Sequence, residues 1–155
     1  NERVVGARGI IVDITERKQA ETTFREAESK FRYLVEQSLG GGYIIQDGYI
    51  YGNNNDGWAC LELKSGQKKW FDRGVGKGSL CYADGMLYCL SENNGTVALV
   101  EASPKGWKEH SRFKLDPQTT QRMPQGRIWT HPVIIGGRLY LRDQELLFCY
   151  DVKGP

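Results

Sequence analysis

The sequence predicts a mainly β chain behind one long N-terminal helix, and three observations carry that prediction. The stretch Asp47-Gly48-Tyr49-Ile50-Tyr51 recurs as Asp84-Gly85-Met86-Leu87-Tyr88 and again as Gly136-Gly137-Arg138-Leu139-Tyr140, at intervals of 37 and 52 residues. Repetition of one turn-and-strand unit suggests stacked or radially arranged sheets rather than one mixed core. Each copy follows an apolar strand: Tyr43-Ile44-Ile45, Leu80-Cys81-Tyr82 and Val133-Ile134-Ile135. The first forty residues lack the unit, and no Gly or Pro interrupts Glu16 to Ser38. That leaves room for a helix of about 24 residues, roughly 36 Å long.

Taken in order, Val4-Val5 and Ile10-Ile11-Val12 read as strand segments broken by Gly6 and Gly9. Asp13-Ile14-Thr15-Glu16 then has the spacing of a capping box, in which Asp13 accepts from first-turn N–H groups. The apolar positions Ala20, Phe24, Ala27, Phe31 and Leu34 are spaced 4, 3, 4 and 3, a heptad seam. Glu21–Arg25, Glu26–Lys30 and Glu28–Arg32 are i,i+4 pairs in the favourable orientation. The seam predicts a two-stranded coiled coil and a homodimer through the helix; the alternative is a helix packed on its own domain. Gly40-Gly41-Gly42 ends the helix, dividing the chain into residues 1–42 and 43–155.

Arg8-Gly9-Ile10-Ile11-Val12-Asp13-Ile14-Thr15-Glu16-Arg17-Lys18-Gln19-Ala20-Glu21 resembles the last strand and exit helix of a PAS domain with its PAC motif. Glu28-Ser29-Lys30-Phe31-Arg32-Tyr33-Leu34-Val35-Glu36-Gln37-Ser38 is similar to the opening helix of a following PAS domain. The resemblance covers about residues 1–47 and implies a linker that carries signals as changes in dimer packing. No complete PAS domain is present, so no PAS ligand pocket is implied.

Beyond the glycines, each repeat reads as strand, tight turn, strand, polar turn, strand. Asp47-Gly48, Asp84-Gly85 and Gly136-Gly137 suit type I′ hairpins, whose two central residues both need positive φ. Third strands follow at Trp58–Leu63, Thr96–Ala102 and Leu146–Val152, and fourth strands fit Lys69–Asp72 and Trp107–Leu115. Four antiparallel strands per unit is the build of a β-propeller blade. The chain thus predicts about three antiparallel propeller-type blades, an incomplete set, following a coiled-coil-like helix. Residues 116–130, with Pro117, Pro124 and Gly126, fit an insertion between blades. The third repeat has no fourth strand, so Leu146–Val152 is expected to be an open edge, a protein-binding position.

The run Cys60-Leu61-Glu62-Leu63-Lys64-Ser65-Gly66-Gln67-Lys68-Lys69-Trp70 resembles the PQQ-type (quinoprotein-type) propeller repeat. The resemblance covers about residues 48–153 and implies that Glu62, Ser65 and Gly66 tie the turn while Trp70 docks between neighbouring blades. Gly106-Trp107 gives the second repeat its counterpart, so Trp107 is implied to dock as well. On this basis Trp70 is expected to be buried between the first two repeats and to matter more than Trp58. The repeat signature is structural and predicts packing rather than catalysis.

Composition bounds the rest. With 39% hydrophobic and 26% charged residues and a net charge of +2, the 155-residue chain reads as globular, not disordered. Lys and Arg are interleaved with Asp and Glu, so no basic stripe suits nucleic acid. No apolar run reaches the roughly 18 residues of a membrane span. No signal peptide is apparent, so the chain reads as cytoplasmic as written, or periplasmic if an export signal has been lost. Cys60, Cys81, Cys89 and Cys149 lack CxxC spacing and read as reduced, partly buried thiols. In the Asp84-Gly85 hairpin Ala83 pairs with Met86 and Leu80 with Cys89, which sends Cys81 and Cys89 to opposite faces. His110 and His131 share no metal-ligand spacing, and no catalytic order of Ser, His and Asp appears. The expected function is a non-catalytic interaction and signal-linker module, without cofactor or metal. The alternatives are a fragment of a PQQ- and calcium-dependent quinoprotein oxidoreductase, or an artificial fusion without evolved function.

Overall fold

The computed structural model describes residues 13–23, 25 and 42–153. Eleven strands form three antiparallel sheets. Sheet 1 holds β1 (Tyr43–Gln46), β2 (Tyr49–Asn53), β3 (Trp58–Glu62) and β4 (Lys68–Asp72), side by side in chain order. Sheet 2 repeats the order with β5 (Gly78–Ala83), β6 (Met86–Ser91), β7 (Thr96–Glu101) and β8 (Glu109–Lys114). Sheet 3 has β9 (Val133–Ile135), β10 (Arg138–Asp143) and β11 (Leu146–Asp151), with β11 at its edge.

Local chemistry explains the repetition. Asp47/Gly48, Asp84/Gly85 and Gly136/Gly137 all have positive φ, between 49° and 81°, as type I′ turns require. That turn fixes the register, pairing Ala83 with Met86 and Leu80 with Cys89. The same bond closes each unit: the N–H groups of Leu63, Ala102 and Val152 donate to the carbonyls of Gly48, Gly85 and Gly137, each at 2.9 Å.

Two cores lie between the sheets. Tyr51, Trp58, Cys60, Leu80, Leu87, Cys89, Ala98 and Val100 fill the space between sheets 1 and 2. Leu90, Val97, Leu115, Ile128, Leu139 and Leu141 fill that between sheets 2 and 3. Sheet 2 is therefore covered on both faces, and its middle strands β6 and β7 read as continuous apolar runs rather than alternating ones. The sheets come closest at their first strands, where β5 packs against β1 and β2 on one side and β9 on the other.

The long N-terminal coiled-coil helix is not found and that expectation is corrected: among the described residues the only helix spans residues 15–23, nine residues. Asp13 does cap its start, accepting from the Thr15 N–H at 2.9 Å, and Arg25 pairs with Glu21 at 3.0 Å. Every described residue of this helix is exposed, Ala20 included. Thr22 and Thr23 turn their hydroxyls back onto the carbonyls of Lys18 and Gln19, a local bond that mildly opposes helix continuation. With none of its described residues buried, this segment lacks the tertiary packing that supplies most helical stability. Phe24, Ala27, Phe31 and Leu34, the rest of the expected seam, lie outside the described residues.

Candidate functional site

The residues of the repeat signature gather at the junction of sheets 1 and 2. Ser65 donates its hydroxyl hydrogen to Glu62, while Gly66 takes φ 69° and its N–H donates to the Glu62 carbonyl at 2.8 Å. The Ser65 hydroxyl bond, with Lys69 3.3 Å away, holds the Glu62 carboxyl below its ordinary range. Trp70 crosses to the next sheet, its Nε1 donating to the Ser103 carbonyl at 2.7 Å.

The indoles rank differently from expectation. Trp58 is 1% exposed, whereas Trp70 is only partly buried. Trp58 points inward from the start of β3 and donates to the Gly76 carbonyl at 2.8 Å. Trp70 sits on β4, the outer strand, where one side stays wet. Trp107 is no counterpart of Trp70. It precedes β8, because the turn from Glu101 to Lys108 is two residues longer than the turn from Glu62 to Gln67. Those turns close on Glu101 N–H to Lys108 carbonyl at 2.9 Å and Glu62 N–H to Gln67 carbonyl at 2.8 Å. The longer turn lays Trp107 against both neighbours, its centroid 5.9 Å from Trp58 and 6.2 Å from Trp70 in an edge-on contact. Gly74 lies beneath two of these rings. A Cβ there would come within 2.7 Å of both Trp58 and Trp107, and its φ is 51°.

Three buried polar residues each end the second strand of a sheet: Asn53, five residues after Gly48, and Ser91 and Asp143, six residues after Gly85 and Gly137, each 1% exposed. Asn53 fastens the connection into sheet 2, donating to the Gly76 carbonyl and accepting from the Gly78 N–H, both at 3.2 Å. Asp143 pairs with Arg122 and accepts from the Thr119 N–H at 3.3 Å, fastening the long connection into sheet 3. The other carboxylate oxygen of Asp143, the Arg122 Nε and the Ser91 hydroxyl have no partner among the described residues. Sequence reading missed these residues. The only available signal was a polar residue ending each apolar second strand.

A cleft of about 200 Å³ opens between sheets 2 and 3, lined by Tyr88, Leu99, Phe113, Leu139 and Val152 among others. It lies where β8, the outermost strand of sheet 2, has no counterpart in three-stranded sheet 3. Phe113 reaches from β8 to Tyr150 on β11, 4.8 Å between centroids.

All four cysteines are free, and Cys149 alone is exposed. Burial pushes the Cys60 thiol up to about 11 and the Cys81 thiol up to about 12, and raises the Cys89 thiol as well. Cys81 and Cys89 face different cores, as the hairpin register requires. His110 is exposed beside Glu101 at 3.5 Å, while His131 lies against Gly42. Asn94 uses its side chain to accept from the Thr96 N–H at 3.0 Å, a turn contact. Among the described residues no three His, Cys, Asp or Glu side chains gather as a metal site, and no helix is long and apolar enough to cross a membrane. No family model and no curated protein matches this chain.

Proposed function

We propose that the chain is a non-catalytic interaction scaffold, a radial, propeller-like stack of sheets that receives an extended protein segment along β11. The observation that carries this reading is the pairing of an open strand edge with an adjacent apolar cleft. Sheets 1 and 2 each complete themselves with a fourth strand, while β11 is the edge of sheet 3. An unpaired edge offers main-chain hydrogen bonds, and a pocket beside it offers side-chain specificity. In this reading residues 1–42 join the scaffold to a sensor, as their PAS-like character implies.

The signature residues support scaffolding over quinoprotein chemistry, since Glu62, Ser65 and Trp70 are engaged in turn and docking bonds. The test is amide exchange with a synthetic peptide of residues 107–115, the sequence that supplies the fourth strand of sheet 2. Saturable protection of residues 146–151 is expected. Unchanged exchange of those amides at saturating peptide would refute the edge reading. Saturable quenching of the indoles by PQQ with calcium, together with dye-coupled turnover, would favour the oxidoreductase instead.

A further inference from the structure

We propose that the open face of sheet 3 is an interface for the open face of sheet 1 in a second copy of this chain. The contact would be head to tail and would repeat the stacking already made twice within the chain. This goes beyond the edge reading and is independent of it, because it concerns the face of sheet 3 rather than the rim of β11.

One cross-strand residue pair recurs in sheets 1 and 3. Tyr51 lies three residues after Gly48 and pairs across strands with Cys60; Tyr140 lies three residues after Gly137 and pairs with Cys149. Cys60 and Cys149 each precede by three residues the N–H that closes the unit, at Leu63 and Val152. Tyr51 and Cys60 are 2% and 0% exposed because sheet 2 lies on them. The same pair at the same register on sheet 3 is uncovered: Cys149 is exposed and Tyr140 only partly buried. Around it stand Val133, Ile135 and Leu147, 52%, 66% and 69% exposed. Strand alternation places all five on one face, since Leu139, Leu141 and Phe148 point the other way into the second core. Arg138, Arg142 and Asp151 stand on the same face beside them, and apolar side chains with that much exposure, rimmed by charge, mark a binding face.

What covers it is read from sheet 2. The surface that sheet 2 lays on Tyr51 and Cys60 includes Tyr82, Leu87, Ala98 and Val100. Counted from the turn glycines and the closing N–H, sheet 1 has Ile45, Ile50, Ala59 and Leu61 at those places. They lie on the face of sheet 1 that turns away from sheet 2, where Ile45 is 45% exposed and Phe71 43%, Ala59 and Leu61 are partly exposed, and Ile50 is 6% exposed. One end of the stack thus repeats the surface that is covered, and the other end repeats the surface that covers it. Such an interface is heterologous and closes only if the rotations complete a circle. Two copies bring six sheets together, within the roughly four to eight of a closed propeller.

The test uses the whole chain. Light scattering is expected to give twice the 17.6 kDa chain mass at high concentration. Alkylation of Cys149 is expected to slow as concentration rises. Leu147→Glu on one face and Ile45→Glu on the other, both at exposed positions, should each give a monomer with an unchanged far-ultraviolet spectrum. Mixing the two variants should restore a pair, because each keeps the face the other has lost. A wild-type monomer at every concentration, assembly that survives either substitution, or no pairing on mixing would overturn the proposal. The peptide-exchange test is read on the monomer, so failure of one idea is distinguishable from failure of the other.

Discussion

Replacing Trp58 with Ala should destabilise the chain more than replacing Trp70. Trp58 is 1% exposed and packs with Tyr51, Cys60, Leu80 and Leu87 in the first core. Truncating so buried an indole costs about 3–5 kcal/mol through lost transfer energy and the cavity left behind. The Gly76 carbonyl loses the Nε1 donor but keeps the Asn53 amide at 3.2 Å, so the hydrogen bond adds about 1 kcal/mol at most. Trp70 is partly wet on an outer strand, and its removal should cost about half as much. With a urea slope near 2 kcal/mol/M, Trp58→Ala should lower the unfolding midpoint by about 1.5–2.5 M. Trp58→Phe, which keeps most of the packing, should lower it by well under half of that. Equilibrium unfolding followed by far-ultraviolet dichroism reads the difference without relying on the deleted fluorophore. A midpoint for Trp70→Ala as low as that for Trp58→Ala would refute the ranking and restore the blade-docking indole as the principal anchor.

Gly74→Ala should destabilise by more than the usual surface substitution, because its Cβ would meet Trp58 and Trp107 at 2.7 Å in a backbone at φ 51°; a wild-type melting temperature would contradict this. Arg122→Met leaves Asp143 buried without its cation and should cost about 3–5 kcal/mol, while the double variant with Asp143→Leu should recover much of it; calorimetry of the three proteins checks the sign. Cys149 should take up maleimide first in dilute chain, and Cys60, Cys81 and Cys89 only on unfolding. Burial raises these three thiols from an ordinary value of 9, to about 11 for Cys60 and about 12 for Cys81 and upward for Cys89, so the folded state holds their protons longer than the unfolded state. Stability from this source is complete below pH 9 and falls as pH rises toward the folded values; Cys60→Ala should flatten the decline in urea midpoint between pH 9 and 11.

The parts of the fold legible in sequence are those fixed by short-range rules. An Asp-Gly turn admits one register, so the pairing of Leu80 with Cys89 follows from the turn alone. The site was less legible because its contacts span long separations. Asn53 reaches Gly76 and Gly78, and Arg122 reaches Asp143, across more than twenty residues with no periodic signature. Trp107 was misplaced because two extra residues in one turn shift a side chain out of strand register and into the junction. The helix failed for another reason: a heptad pattern states which face could be buried, and residues 15–23 show no burial at all.

The exposed apolar side chains of the strands follow one rule that ties these observations together. Tyr43, Ile45 and Phe71 lie on the outer face of sheet 1, and Val133, Ile135 and Leu147 on the outer face of sheet 3. The remaining one, Phe113, belongs to sheet 2 but lies opposite the fourth strand that sheet 3 lacks. Ile45, Phe71, Phe113, Val133, Ile135 and Leu147 therefore mark places where the repeat pattern expects a neighbouring sheet or strand and the described residues supply none. A repeat writes the same face chemistry into every unit, whichever neighbours that unit has. Burial then depends on position in the stack: among the described residues the central unit is covered on both faces, and the terminal units carry exposed stacking surface. For a chain of this design the most adhesive surfaces are its two ends and its shortest sheet, and both proposed interactions use them.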